Sequence, residues 1–200
     1  IPALSRWMQA HDNLNFNIHA DYHNYIDELD NNIDIVIRLG AHGIDTDKFE
    51  LHPLISAPQV LVAAPSYLNK RSPIYTPENS PFHALTRRER LEESGMSRDL
   101  IQENDDKSFS LSTVPSRINT NNAFIMKALC CHGHGIARML RLNAQNELKT
   151  QELLQILPDW QLPEYKFYAI THKYEILPTK SKRCLELIKE HFERIASGSV

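Results

Sequence analysis

The sequence predicts an α/β fold divided into two lobes, and three observations carry the prediction. Stretches with the helical period of 3.6 alternate with stretches of strand period. A nearly all-apolar run, Ile33-Asp34-Ile35-Val36-Ile37, reads as a short, deeply buried strand of the parallel kind. A break from Lys70 to Pro81, holding Pro73, Pro77 and Pro81, separates two such stretches. A chain of 200 residues has room for this arrangement and for a substantial buried core.

The elements follow in order. Ile1, Leu4 and Met8 recur at helical spacing, and Pro2 suits an early helical position. Leu14, Phe16, Ile18 and Ala20 alternate with Asn15, Asn17 and His19, the period of a strand with one buried face. Tyr22, Tyr25, Ile26 and Leu29 return to a helical stripe before the Ile33 to Ile37 strand. After Arg38-Leu39-Gly40 a polar loop leads to strands at Phe49 to Ile55 and Gln59 to Ala64, the second ending at Pro65. Thr76-Pro77-Glu78 is expected to cap a short helix.

From Leu85 to Asp106 both charge signs are dense, with Leu91, Met96, Leu100 and Ile101 as apolar anchors. Arg87, Arg88 and Arg90, interleaved with Glu89, Glu92 and Glu93, read as a salt-linked helix face. Strands are expected at Ser108 to Thr113 and Ser116 to Asn119, a helix from about Asn122 to Cys131, and a glycine turn at Gly133 and Gly135. Leu153 to Leu157 and Lys166 to Thr171 are further strands. The closing helix carries Cys184, Leu185, Ile188, Phe192 and Ile195 on one face. The sequence holds no internal repeat and no low-complexity tract.

Composition narrows the function classes. With 42% hydrophobic and 24% charged residues the chain sits among ordinary globular proteins. Its 22 basic residues against 25 acidic ones give no positive excess for neutralising phosphates, which argues against direct DNA contact. Three cysteines, two of them adjacent, make a poor disulfide framework and fit a reducing compartment. No run approaches the roughly 20 apolar residues of a membrane span. The expectation is a cytoplasmic protein, and because the chain opens with Ile1 inside a helical pattern, upstream sequence is expected.

Four segments, in order, resemble the LysR-type transcription regulators over essentially the whole chain. Ile33 to Gly40 is similar to that family's D-I-A-I-R-x-G strand and turn, and Val60 to Leu68 to its V-L-V-A-S-P-x-Y-L crossing. Gly133-His134-Gly135-Ile136-Ala137 matches G-x-G-I-A, and Leu153 to Trp160 resembles L-x-x-V-L-P-x-W. Four segments at compatible spacing are much harder to obtain by chance than one.

The resemblance implies two Rossmann-like lobes with an interlobe cleft, of the type II periplasmic-binding-protein kind. Lobe I is then residues 1–66 plus 173–200, and lobe II residues 67–172. It further implies a small polar or anionic effector bound in the cleft, no cofactor, and a head-to-tail homodimer that becomes a tetramer in the intact regulator. DNA is reached through an N-terminal winged helix-turn-helix, with RNA polymerase as a further partner and no membrane. That winged domain, the linker helix and the first strand and turn of lobe I have no counterpart in these 200 residues, so this chain alone is not expected to bind operator DNA. Leu140 stands where a proline commonly follows G-x-G-I-A, and Arg87 to Asp106 lacks the usual tryptophan-containing strand. The rival on a shared fold is a solute-binding protein of a transport system, and the third class is an enzyme.

Candidate ligand-binding residues come partly from chemistry and partly from the resemblance. Asn119, Thr120, Asn121 and Asn122 precede the lobe II helix, where free N–H groups favour anions; the alternative is a simple helix cap. By family position Asn121 and Asn122 are the better ligand candidates of the four. Gly40, Ala41 and His42 follow a strand, where loops often line sites, and alternatively form a tight turn. Arg38 has the fork to grip a carboxylate, or is tied to a structural partner. Ala64 matches a family cleft position, and a small residue there equally suits close packing.

Cys130-Cys131-His132-Gly133-His134 has zinc-type ligands without zinc spacing, since adjacent ligands at a helix end point in different directions. No metal site is expected. The sequence lacks G-x-S-x-G, H-E-x-x-H, a P-loop and G-x-G-x-x-G, so nothing nominates a nucleophile and no enzyme is expected.

Overall fold

The computed structural model describes residues 2–19, 33–77, 85–88, 99–102, 108–110, 116–120, 122–173 and 177–197. In chain order its elements are α1 (Pro2–Gln9), β1 (Val36–Leu39), β2 (Phe49–Ala57), β3 (Gln59–Ala63), α2 (Pro65–Leu68), β4 (Leu85–Arg88), β5 (Asp99–Gln102) and β6 (Ser108–Ser110). They continue with β7 (Ser116–Thr120), α3 (Ala123–Cys131), β8 (Ile136–Leu140), α4 (Arg141–Lys149), β9 (Leu154–Ile156), β10 (Trp160–Gln161), β11 (Tyr165–His172) and α5 (Thr179–Ala196). Two compact units result: unit 1 is Ile1–Ser56 with Lys166–Val200, and unit 2 is Ala57–Tyr165. The chain thus changes unit near residues 56 and 165, whereas the family pattern puts the crossings near 66 and 172. Pairing accounts for the difference: β3 belongs to the ladder of β8 and β9, and β11 to that of β1.

Unit 1 holds a three-stranded sheet in the order β1-β11-β2. Ala169 and Leu54 pack with Leu4 of α1 and with Leu185 and Ile188 of α5 in one cluster, while Val36, Phe49 and Ile170 form another. The apolar stripe read on the last helix is therefore its core face. β1 departs from expectation, because it starts at Val36 and runs antiparallel to β11, from Val36↔Ile170 to Leu39↔Phe167. Ile37 is 48% exposed, so the strand is not buried on both faces. An apolar run does not encode strand direction, which is set here by a partner far on in the sequence.

Leu14 to His19 forms no strand either. The Leu14 N–H donates to the His11 carbonyl at 3.1 Å, Phe16 meets the Trp7 ring edge-on at 5.5 Å, and Ile18 is 55% exposed. Without a ladder partner the alternation gives no strand, and Phe16 packs beside Trp7 on the unit 1 core instead. The helical stripe from Tyr22 to Leu29 lies outside the described residues.

Unit 2 holds a mixed sheet in the order β7-β4-β8-β3-β9. β4 is parallel to β7 and β8, and β3 is antiparallel to β8 and β9. β3 shows why a short all-apolar strand forms the centre. Val60 and Val62 pack with Met126 and Cys130 of α3 and Ala144 of α4, while Leu61 and Ala63 pack oppositely with Leu100, Leu157 and Leu162. Period-two alternation sends successive side chains to two covered faces. A smaller antiparallel sheet has the order β10-β5-β6.

Arg87 and Arg88 sit in strand β4, not on a helix face, opposite Asn119 and Thr120 of β7. Dense mixed charge carries no period, so the parallel partners decide the conformation. Arg90, Glu89, Glu92 and Glu93 lie outside the described residues, as does Glu78 of the expected capped turn. Five elements escaped the sequence reading: α2, β5, β8, α4 and β10. Among the described residues no helix is long and apolar enough to cross a membrane.

Candidate functional site

In unit 1 the end of β1 and its turn hold four of the residues singled out from sequence. Gly40 adopts φ +74, and its N–H extends the ladder by donating to the Lys166 carbonyl at 2.8 Å. Only glycine takes that left-handed value without strain. The Ala41 carbonyl accepts from the Ile44 N–H at 3.4 Å, closing a turn on which His42 is exposed. Arg38 is half-buried, and its Nη2 donates to the His42 carbonyl at 3.4 Å. Burial pulls the Arg38 guanidinium below its ordinary value. The side chain thus ties the turn to the strand by one long hydrogen bond and keeps further donors for other acceptors.

In unit 2, Asn122 is the N-cap of α3, with its Oδ1 accepting from the backbone of Phe124 at 2.8 Å and Ile125 at 3.2 Å. Its own N–H donates to Thr120 Oγ1 at 3.1 Å. The cap is present as weighed from sequence, and it leaves only the carboxamide NH₂ for a ligand. Asn121 lies outside the described residues. Ala64 is 2% exposed at the N-cap of α2, and its carbonyl accepts from Tyr67 at 3.0 Å and Leu68 at 3.2 Å. It packs in the α3-side core, where a larger side chain would displace Met126 or Cys130. The structure brings Arg38 to His42 together in one unit and Ala64 and Asn122 into the other.

Cys130 is fully buried, with its thiol donating to the carbonyls of Val62 at 3.4 Å and Gly135 at 3.6 Å. Burial, then neighbouring Cys131, pushes the thiol up to about 12, against hydrogen bonds from the Ala137 and Ala64 backbone. Such a group stays protonated and unreactive near neutral pH. His132 Nδ1 bonds the Ala128 carbonyl at 2.8 Å at the helix end. No group of metal-ligating side chains is assembled among the described residues. Arg138 escaped the sequence reading: half-buried in β8, it donates through Nη2 to the Tyr165 hydroxyl at 3.0 Å. Its signal was an arginine inside the apolar run Ile136 to Leu140.

Comparison with known proteins decides the family. A profile for the LysR substrate binding domain matches residues 1–193. The chain belongs to this family. Among relatives of the LysR substrate binding domain, the HTH-type transcriptional regulator PtxR of Pseudomonas aeruginosa is 25% identical over 175 residues, covering 85% of this chain and 53% of its own. The chain therefore spans about half that relative's length. The regulatory domain of AphB from Vibrio vulnificus superposes with a TM-score of 0.78 at 21% identity, covering 95% of this chain and 90% of its own. The regulatory domain of CrgA, a LysR-type regulator from Neisseria meningitidis, gives 0.77 at 15% identity, covering 96% and 90%. At such identities the likeness establishes the fold, which is the two-lobed α/β class expected from sequence. The family match and the curated relative favour a regulatory domain over a solute-binding protein of transport.

Proposed function

We propose that this LysR substrate-binding domain is the effector-sensing part of a transcription regulator, taking a small polar or anionic metabolite. The observation that carries the reading is the family match over residues 1–193, joined to an HTH-type transcriptional regulator of which the match covers 53%. Residues of both units are assigned to the ligand: Arg38, Gly40, Ala41 and His42 from the strand-turn, and Ala64, Asn121 and Asn122 from the other unit. Arg38 supplies charge, Gly40 and Ala41 supply backbone groups, and Asn122 supplies its carboxamide NH₂. By the family pattern the lobes are residues 1–66 plus 173–200 and 67–172, whereas the compact units divide near 56 and 165, and it is this division that groups Ala64 with Asn122.

In the whole regulator, ligand-driven closure moves DNA-binding domains, and copies associate head to tail as dimers and then a tetramer. DNA, and RNA polymerase beyond it, are partners of that longer protein, which works in the cytoplasm and is not a catalyst. Thermal-shift screening of this chain against a metabolite library tests the reading. A ligand at about 100 times its dissociation constant stabilises the fold by about 2.7 kcal/mol, which raises Tm by about 5 to 10 °C at this size. Sedimentation equilibrium tests association, and a strictly monomeric chain at high concentration contradicts it.

A further inference from the structure

We propose that His52 is an acid-opened latch that fastens α5 to the sheet of unit 1. The His52 ring stands on β2, 13% exposed, between two polar groups contributed by other elements. Lys189 Nζ of α5 lies 3.1 Å from Nδ1, and Thr171 Oγ1 of β11 lies 3.0 Å from Nε2. A lysine ammonium only donates, so Nδ1 must be the acceptor and the ring proton must sit on Nε2, where it is donated to Thr171. The tautomer is fixed by its neighbours, and the neutral ring adds a polar clamp between helix and sheet.

Protonation reverses that chemistry. A proton on Nδ1 removes the only lone pair that Lys189 can use, and it places two cations face to face at hydrogen-bond distance. Among the described residues the charged groups facing the ring are Lys189 from α5 and Glu50 from its own strand. The Glu50 Oε1 lies 3.9 Å from Nδ1, but its side chain is 59% exposed, so solvent weakens its pull. Thr171 is 3% exposed and offers the ring no alternative to the hydrogen bond it already makes.

Burial first and Lys189 second lower the His52 pKa from 6.5, with Glu50 opposing. A base whose folded value is depressed contributes stability that is complete above 6.5 and is lost as pH falls through the lower folded value. What opens is local. The apolar stripe of Leu185, Ile188 and Phe192 still packs α5 on the sheet while the polar clamp at Lys189 lets go. The helix is thereby the element whose attachment changes with acid, independently of any effector.

The test is a histidine-resolved NMR titration together with amide exchange of α5, corrected for intrinsic rates. His52 is expected to titrate below 6.5, with α5 opening up to about tenfold more per pH unit between 6.5 and the lower folded value and levelling off beneath it. His52→Gln keeps an acceptor for Lys189 and a donor for Thr171 without titrating, so the pH dependence of α5 flattens. Lys189→Met raises the His52 pKa, a result readable even if the glutamine variant fails to fold. The proposal is overturned if His52 titrates at or above its ordinary value, or if α5 opens with the same pH dependence in His52→Gln.

Discussion

Asn122 shows how far a single residue can be read from sequence. An asparagine ahead of an apolar helical run is a local signal, and the structure realises it as a cap accepting from Phe124 and Ile125. Asn122→Ala should cost about 1 kcal/mol in urea unfolding, while Asn122→Asp should retain most of the stability. Gly133 is a second residue whose type is dictated. It has φ +73, and a β-carbon there would lie 2.8 Å from Ser66 Oγ. Gly133→Ala should therefore destabilise by about 1 to 2 kcal/mol, and adding Ser66→Ala should recover only the share due to contact. Arg38 was legible as a charged group beside a turn, but its bond to the His42 carbonyl was not, because that partner depends on the path of the loop.

At the scale of elements, legibility tracked periodicity. The α5 stripe is long and regular, so its core face was plain in the sequence, and Leu185 and Ile188 lie buried where expected. Ile188→Ala should cost about 2 to 5 kcal/mol, measured as a shift of the denaturation midpoint without a change of slope. β1 and β4 were misread for a shared reason: pairing direction and strand choice come from distant partners, β11 for one and β7 with β8 for the other. α4 carries a weak apolar pattern, with only Ala144 buried, and so gave no stripe to read.

The ion pair between Lys127 and Glu147 joins α3 to α4, and no local pattern shows it either. The hydrogen bond from Lys127 comes first among the causes holding the Glu147 carboxyl below its ordinary 4.5. Its stabilisation is present above 4.5 and is lost as pH falls through the lower folded value. Glu147→Gln should therefore flatten the acid limb of a stability-against-pH curve.

For the whole molecule, two sources of information were unequal. Periodicity supported an α/β chain in two parts. The four ordered segments supplied the family, and the match over residues 1–193 bears that out. The proposed ligand residues were less legible, since Asn122 reads equally as a helix cap and Arg38 as a tie to its own turn, which is what each does in the structure. The central claim is that this chain binds a small polar or anionic effector. Calorimetric titration of this chain with a metabolite found by thermal shift tests it most directly, comparing the wild type with Arg38→Gln and Asn121→Ala. The account predicts one site per chain, weakened at least about tenfold in each variant. Binding left unchanged in both variants would contradict it.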